Sequence, residues 1–287
     1  MYQQEITTGH RTAIVIAVDR SKSMSDRICV KVGQTRSKAE EVALAVNRLI
    51  RELMIRATRD GVVRDYYDLA VLGYSERGAV PLIDERRVFI PVSELVNYAP
   101  RRSSVIVERC TCSGESVVSE ESVQMWVEPV ARGCTPMYEA LWDIRSHLRD
   151  WCSRPCNGSS FPPVVINITD GQASDCRRSD LRAIADDIRS LHTSDGNVLL
   201  MNICVSGDGN CPTLLFPTAD EVAASGDGYA CLLAECSSVM PEPFNALIAA
   251  SRCDGVQPPY LAMGCNTQVG GLVEMLNIGS RSVTGIR

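Results

Sequence analysis

The chain has 287 residues, 45% of them apolar and 22% charged, with a formal charge of −6. This balance excludes a disordered chain and a coiled coil, and it argues against a nucleic-acid binder, which relies on a basic face. No apolar stretch approaches the ~18 residues of a membrane helix, and the polar first eleven residues lack a signal-peptide core, so a soluble, cytoplasmic protein is expected.

Short apolar runs of strand length alternate with helical periodicity, the pattern of parallel strands joined by crossover helices. Residues 13–18 form an unbroken apolar run, as in a strand covered on both faces. Ala39, Val42, Val46, Leu49, Leu53 and Ala57 then lie on one stripe, with Ser37 and Glu40 as a capping box and Gly61 marking the end. Residues 66–73 read as a strand, and 81–83 as its hairpin partner across a turn at 76–78. From about 84 to 132, β-prone pieces (87–91, 104–109, 122–127) are separated by polar stretches, a β-rich insertion on one rim of the sheet. Pro136 opens a helix with Met137, Leu141, Ile144, Leu148 and Trp151 on one face. Two more buried strands, 164–168 and 198–205, enclose a helix through Leu181, Ile184, Ile188 and Leu191. Beyond residue 205, turn-rich segments precede helices at 243–251 and 268–276. The expectation is one domain over 1–287, with a core at 12–205, the insertion, and a helical completion at 206–287. Its fold class is α/β, a Rossmann-like, doubly wound, mostly parallel sheet flanked by helices.

The 13 cysteines do not suggest a disulfide framework, which belongs to small exported domains. The pairs Cys110/Cys112 and Cys152/Cys156 lack partners at zinc-finger spacing, and only His10, His147 and His192 could help. Reduced cysteines used as small hydrophobes are the simpler reading. Trp126, Trp142 and Trp151 read as packing residues, His147 as a surface residue, and Asp26 and Gln172 as solvated loop residues.

Three distant segments place oxygen-bearing side chains after a strand or at a helix start. They are Asp19-x-Ser21-x-Ser23, Thr135 before Pro136, and Thr169-Asp170-Gly171. In an open parallel sheet these positions converge on the crevice at the strands' carboxyl ends. Two carboxylates (Asp19, Asp170) and three hydroxyls (Ser21, Ser23, Thr135), with no imidazole or thiolate, suit a hard cation such as Mg2+ or Mn2+. If the first segment stays extended, its alternate residues face one side. The remaining coordination position would favour one more carboxylate, offered by a ligand. Taken singly, Asp19 and Asp170 would pass for helix-capping carboxylates, and Thr135 for an N-cap.

At these residues the sequence resembles the von Willebrand factor A (vWA) family. The three motifs match that family's metal-ion-dependent adhesion site, and all five side chains are present. The resemblance covers roughly 12–205. It implies that Ser21, Ser23 and Thr135 bind the metal directly or through water, and that Asp19 and Asp170 act largely through water. The run 126–141 and the segments 237–241 and 278–281 look like intracellular bacterial vWA proteins, which accompany kinases, PP2C-type phosphatases or AAA+ ATPases in stress and conflict systems. One departure is Arg20 and Lys22, where the family carries small residues. Pointing inward they would weaken metal binding; extended geometry instead sends them outward, to ring the site with positive charge.

The expected function is therefore a non-catalytic, Mg2+-dependent protein-interaction module that binds an acidic residue of a partner. The alternative keeps the fold as a structural or assembly subunit with a vestigial metal site. A metal-dependent hydrolase fits less well, because no nucleophile elbow or phosphate loop is present and both carboxylates are committed to the ion. Neither nucleic acid nor membrane is expected as a partner.

Overall fold

The computed structural model describes residues 1–31, 34–76, 78–98, 101–110, 116–205 and 213–266, with 271, 274, 275 and 278 beyond them. In chain order the elements are β1 (Thr12–Asp19), α1 (Lys38–Ala57), β2 (Tyr67–Tyr74), β3 (Val80–Pro81), β4 (Ile90–Pro91), β5 (Arg101–Cys110), β6 (Ser116–Met125), α2 (Met137–Cys152), β7 (Val164–Thr169), α3 (Arg178–Ser190), β8 (Leu199–Cys204), β9 (Leu214–Leu215), α4 (Ala219–Ala224), α5 (Gly228–Cys236), α6 (Asn245–Arg252) and β10 (Met263–Cys265).

The central sheet runs β9-β10-β8-β7-β1-β2-β3, with β4 also on β2. Its five inner strands are parallel, and the edge pieces β9, β3 and β4 are antiparallel. Strands β1, β2, β7 and β8 are buried along their whole length, which is what their unbroken apolar runs require. Alternation sorts β1 between two cores: Ile14, Ile16 and Val18 pack with Val42, Val46 and Leu49 of α1, whereas Ala13, Val15 and Ala17 face α2 and α3. The result is a three-layer α/β/α sandwich of the Rossmann-like, doubly wound class.

Several local expectations change. Helix α1 opens on the Ser37/Glu40 capping box but ends at Ala57. Gly61 instead forms a turn with Asp60, both at positive φ, between the paired pieces Thr58–Arg59 and Val62–Val63. Two successive left-handed residues are the Asp-Gly signature of a tight hairpin, so the glycine serves that turn. Helix α5, which starts at the end of the turn-rich stretch 225–228, and strand β10 fall where no element was expected. Asp227 accepts hydrogen bonds from Tyr229 N (2.8 Å) and Ala230 N (3.2 Å) and so starts α5. The helix expected at 268–276 lies largely outside the described residues. Trp126 and Trp151 are buried, but Trp142 is 48% exposed, stacked on Tyr138. Ten of the cysteines, the buried Cys204, Cys236 and Cys265 among them, are free thiols. Among the described residues no helix is long and apolar enough to cross a membrane.

Within 84–132, β5 and β6 form a long hairpin, paired from Arg101 with Met125 to Cys110 with Ser116. Its return leg is fastened to α1 by Asn47, a fully buried amide. Asn47 Oδ1 accepts from Trp126 N (2.6 Å) and Val127 N (3.0 Å), while Nδ2 donates to Val127 O (2.8 Å). Asn47→Ala leaves two buried backbone donors unpaired, each worth about 1–3 kcal/mol. A stability loss on the order of 3 kcal/mol is expected in urea unfolding; a change within experimental error would show that Asn47 does not fasten the insertion.

Candidate functional site

The strand order reverses at β1, with β2 on one side and β7 on the other. The carboxyl ends of β1 and β7 therefore open on the crevice where ligands of such sheets bind. Register keeps these ends level, with Val18 beside Ile168, so Asp19 and Thr169 meet above the sheet.

Asp19 is 1% exposed. Its Oδ1 accepts from Ser21 N (2.8 Å) and its Oδ2 from Thr169 Oγ1 (2.9 Å). Ser21 Oγ lies 3.0 Å from Ser23 Oγ, which donates to Asp170 Oδ1 at 2.7 Å. Asp19, Ser21, Ser23 and Asp170 thus form one continuous set. The chain does not stay extended, because Lys22–Ser25 is a 3₁₀ turn; that turn nevertheless brings the two hydroxyls together and leaves Lys22 exposed, pointing outward.

Thr135 is buried on the loop that closes the site. That loop is held by hydrogen bonds from Lys22 N to Gly133 O (3.1 Å), Arg132 N to Arg20 O (2.7 Å) and Cys134 N to Ser75 O (2.9 Å). Gly133 has φ +79°, and a Cβ there would fall 2.9 Å from Ser75 O, so only glycine fits. Thr135 does not cap α2. Pro136 takes the N-cap position, and the first free N–H groups, of Tyr138 and Glu139, donate to Asp175 at 3.2 and 3.0 Å. The Thr135 hydroxyl has no hydrogen-bond partner among the described residues, while its backbone N donates to Ser174 Oγ (3.1 Å).

Lys38 is the residue that sequence reasoning missed. Its Nζ lies 2.9 Å from Asp170 Oδ2 and 3.4 Å from Asp26 Oδ2, with its own side chain 9% exposed and that of Asp170 0% exposed. Asp26, read as a solvated loop residue, helps to hold it. The available signal was electrostatic: Lys38 opens α1, where the helix dipole disfavours a cation, and its placement there is offset only by the two carboxylates. Burial pulls the ammonium down, but the hydrogen bonds and charges of Asp170 and Asp26 outweigh it and hold Lys38 above its ordinary value. Burial pushes the Asp19 carboxyl up to about 6, against the lowering effect of the Ser21 and Thr169 hydrogen bonds.

Among the described residues no group of three or more His, Cys, Asp or Glu side chains is placed to hold a metal. A cation here would therefore depend on hydroxyls beside two carboxylates. That donor set fits a hard divalent ion, and an ionised carboxylate buried as deeply as Asp19 lacks a counter-charge of its own.

No family model matches the sequence, and no curated protein does. Similar solved structures include a von Willebrand factor type A protein from Catenulispora acidiphila (15% identity, TM-score 0.36, covering 69% of this chain and 33% of that one). Others are the vWF domain of the type V pili tip protein Mfa5 from Porphyromonas gingivalis (12%, TM-score 0.34, 57% and 39%) and the PilB minor pilin from Streptococcus sanguinis (11%, TM-score 0.46, 93% and 60%). The chain spans less than two thirds of each of these proteins.

The raised Asp19 value gives a signed prediction for the metal-free protein. A carboxyl that is harder to ionise when folded costs stability once ionised, so the cost opens between about pH 4 and 6 and is complete at pH 7. Asp19→Asn keeps the shape and removes the charge. It should be more stable than wild type at pH 7 in EDTA, by on the order of 2 kcal/mol, with the gap closing toward pH 4. A gap independent of pH would show that Asp19 does not titrate in this window.

Proposed function

We propose that the chain is a vWA-type, non-catalytic protein-interaction module that depends on a divalent metal and binds an acidic side chain of a partner. Asp19, Ser21, Ser23, Thr135 and Asp170 would hold Mg2+ or Mn2+. The observation that carries this reading is the unbroken set of oxygens from Asp19 through Ser21 and Ser23 to Asp170, at the point where the strand order reverses. Bound there, the ion would supply the positive charge that draws and orients the partner's carboxylate. The insertion at 84–132 borders the loops of the site and is the natural source of specificity. The wider reading, one domain over 1–287 acting in the cytoplasm beside a kinase, phosphatase or AAA+ ATPase of a bacterial stress or conflict system, rests on the resemblance of 126–141, 237–241 and 278–281.

Lys38 favours a second reading. Its ammonium already gives Asp170 a positive partner, so the same site can serve a structural or assembly subunit with no metal. The two readings separate in one calorimetric series with Mn2+ on wild type, Lys38→Met and Asp19→Ala. Under the first, wild type binds, Asp19→Ala does not, and Lys38→Met binds about tenfold tighter because a competing charge has gone. Binding by Lys38→Met alone supports the second. No heat from any of the three at millimolar metal sinks the metal reading.

Partner capture by wild type and by Asp19→Ala/Ser21→Ala, each with and without EDTA, tests the consequence. Capture should fail in three of the four lanes; equal capture in all four would refute metal dependence.

A further inference from the structure

Beside the oxygen set, on the other side of the loop that follows Asp19, lies a cleft of about 530 Å³ whose lining includes Arg20 and Arg132, Glu85 and Glu128, and the apolar Leu82 and Trp126. Arg20 is seated there by a missing side chain. A Cβ on Gly73 would come within 2.5 Å of Arg20 Cδ and 2.8 Å of Leu82 Cδ2, so the bare backbone of β2 is what lets the arginine stem lie under Leu82. Arg20 Nε is buried with no hydrogen-bond partner. Arg132 is the neighbour whose like charge acts on it: burial first, then Arg132, holds the Arg20 guanidinium below its ordinary value. Among the described residues neither arginine forms an ion pair within 4 Å, not even with Glu85 or Glu128.

Two unpaired guanidiniums in one cleft, one of them with a desolvated donor, are unfavourable unless an anion joins them. Arginine presents its donors as a planar fork that matches a carboxylate. Glu85 and Glu128 line the same cleft without pairing with either arginine, and their repulsion weighs more against a doubly charged phosphate than against a single carboxylate. Val80, Pro81, Leu82 and Trp126 offer apolar wall to whatever carries that charge.

We propose that this cleft is a second carboxylate-binding site, which takes an acidic side chain with an apolar neighbour from a protein partner, gripped by Arg20 and Arg132. It extends the interface of the proposed function to a second acidic contact, and in that sense rests on that reading. Its own chemistry requires no metal, so the two can fail separately.

The test uses the full chain, isotope-labelled, in excess EDTA, with acetyl-Glu-Leu-amide as the probe and acetyl-Gln-Leu-amide and inorganic phosphate as controls. The Arg20 Nε–H and Trp126 indole N–H resonances report binding. The glutamate peptide should shift both resonances saturably and the glutamine peptide should not. Arg132→Gln, an exposed substitution whose unfolding temperature checks the fold, should weaken binding at least fivefold, and Arg20→Gln should abolish the Trp126 shift. Equal shifts from the two peptides, no saturable shift, or tighter binding of phosphate than of the glutamate peptide would overturn the assignment. Because EDTA is present throughout, a failure here leaves the metal reading standing, and a failed metal titration leaves this site intact.

Discussion

A carboxylate buried at the end of the central strand is the constraint around which the site is built. Asp19 has almost no contact with water, so both of its oxygens must find donors inside the protein. Ser21 N–H can serve only if the chain turns immediately after Asp19, which is why β1 stops there and a 3₁₀ turn follows. Thr169 can serve only if β7 ends level with β1. A single desolvated charge thus dictates where two strands end and how the loops above them begin. The loop around Gly133 is then fitted against Ser75 and against the backbone of Arg20 and Lys22.

Beneath the carboxylate a buried polar chain fixes the layers to one another. Tyr74 hydroxyl donates to Asn167 Oδ1 (2.9 Å), Asn167 Nδ2 to Asn202 Oδ1 (3.0 Å), Asn202 Nδ2 to Ser237 Oγ (3.1 Å), and Ser237 Oγ to Leu233 O (2.7 Å). This chain crosses from β2 over β1 to β7, β8 and the end of α5. It passes β1 at Ala17, the register partner of Asn167, where a small side chain leaves Tyr74 room to reach across. A fully satisfied network of this kind resists register slips, because a one-residue shift would strand each amide on the opposite face. Tyr229 of α5 adds a hydrogen bond to Gly171 O beside Asp170, so the last third of the chain is joined physically to the loop that carries the site.

The sheet and most of the site were legible because their signals are local. Unbroken apolar runs mark strands buried on both faces, and Asp19, Ser21, Ser23 and Asp170 each follow a recognisable strand end. What escaped depends on distance in sequence. Lys38 and Asp170 meet across 132 positions, and no spacing rule links them; only the misfit of a cation at a helix start hinted at a partner. Nothing local marks Asn47, whose partners lie about 80 residues away. Strand β10 is three residues long and contains a glycine, too short for any period to declare itself. Thr135, a candidate metal ligand, also reads as an N-cap when taken singly, while the acceptor for the free N–H groups of α2 is Asp175, from another loop.

The distribution of charge around the site bears on the proposal that an acidic chain binds an acidic partner. At ~0.15 M salt the Debye length is about 8 Å, so charges scattered over the far surface are largely screened from a ligand at the crevice. What a ligand meets is local. Asp19 and Asp170 are turned inward and hydrogen-bonded, and the exposed Asp26 is paired with Lys38, whereas Lys22 is exposed at the rim and Arg20 and Arg132 stand in the adjoining cleft, which Glu85 and Glu128 also line. The placement of Arg20 follows from the same turn that satisfies Asp19: once the chain bends to present Ser21 N–H, residue 20 is directed to the other side, into the seat left by Gly73. The desolvated carboxylate and the seating of Arg20 in the cleft beside it are therefore two results of a single backbone turn. A substitution that relaxes the turn would disturb both together, whichever cation, Lys38 or a metal, balances the carboxylates.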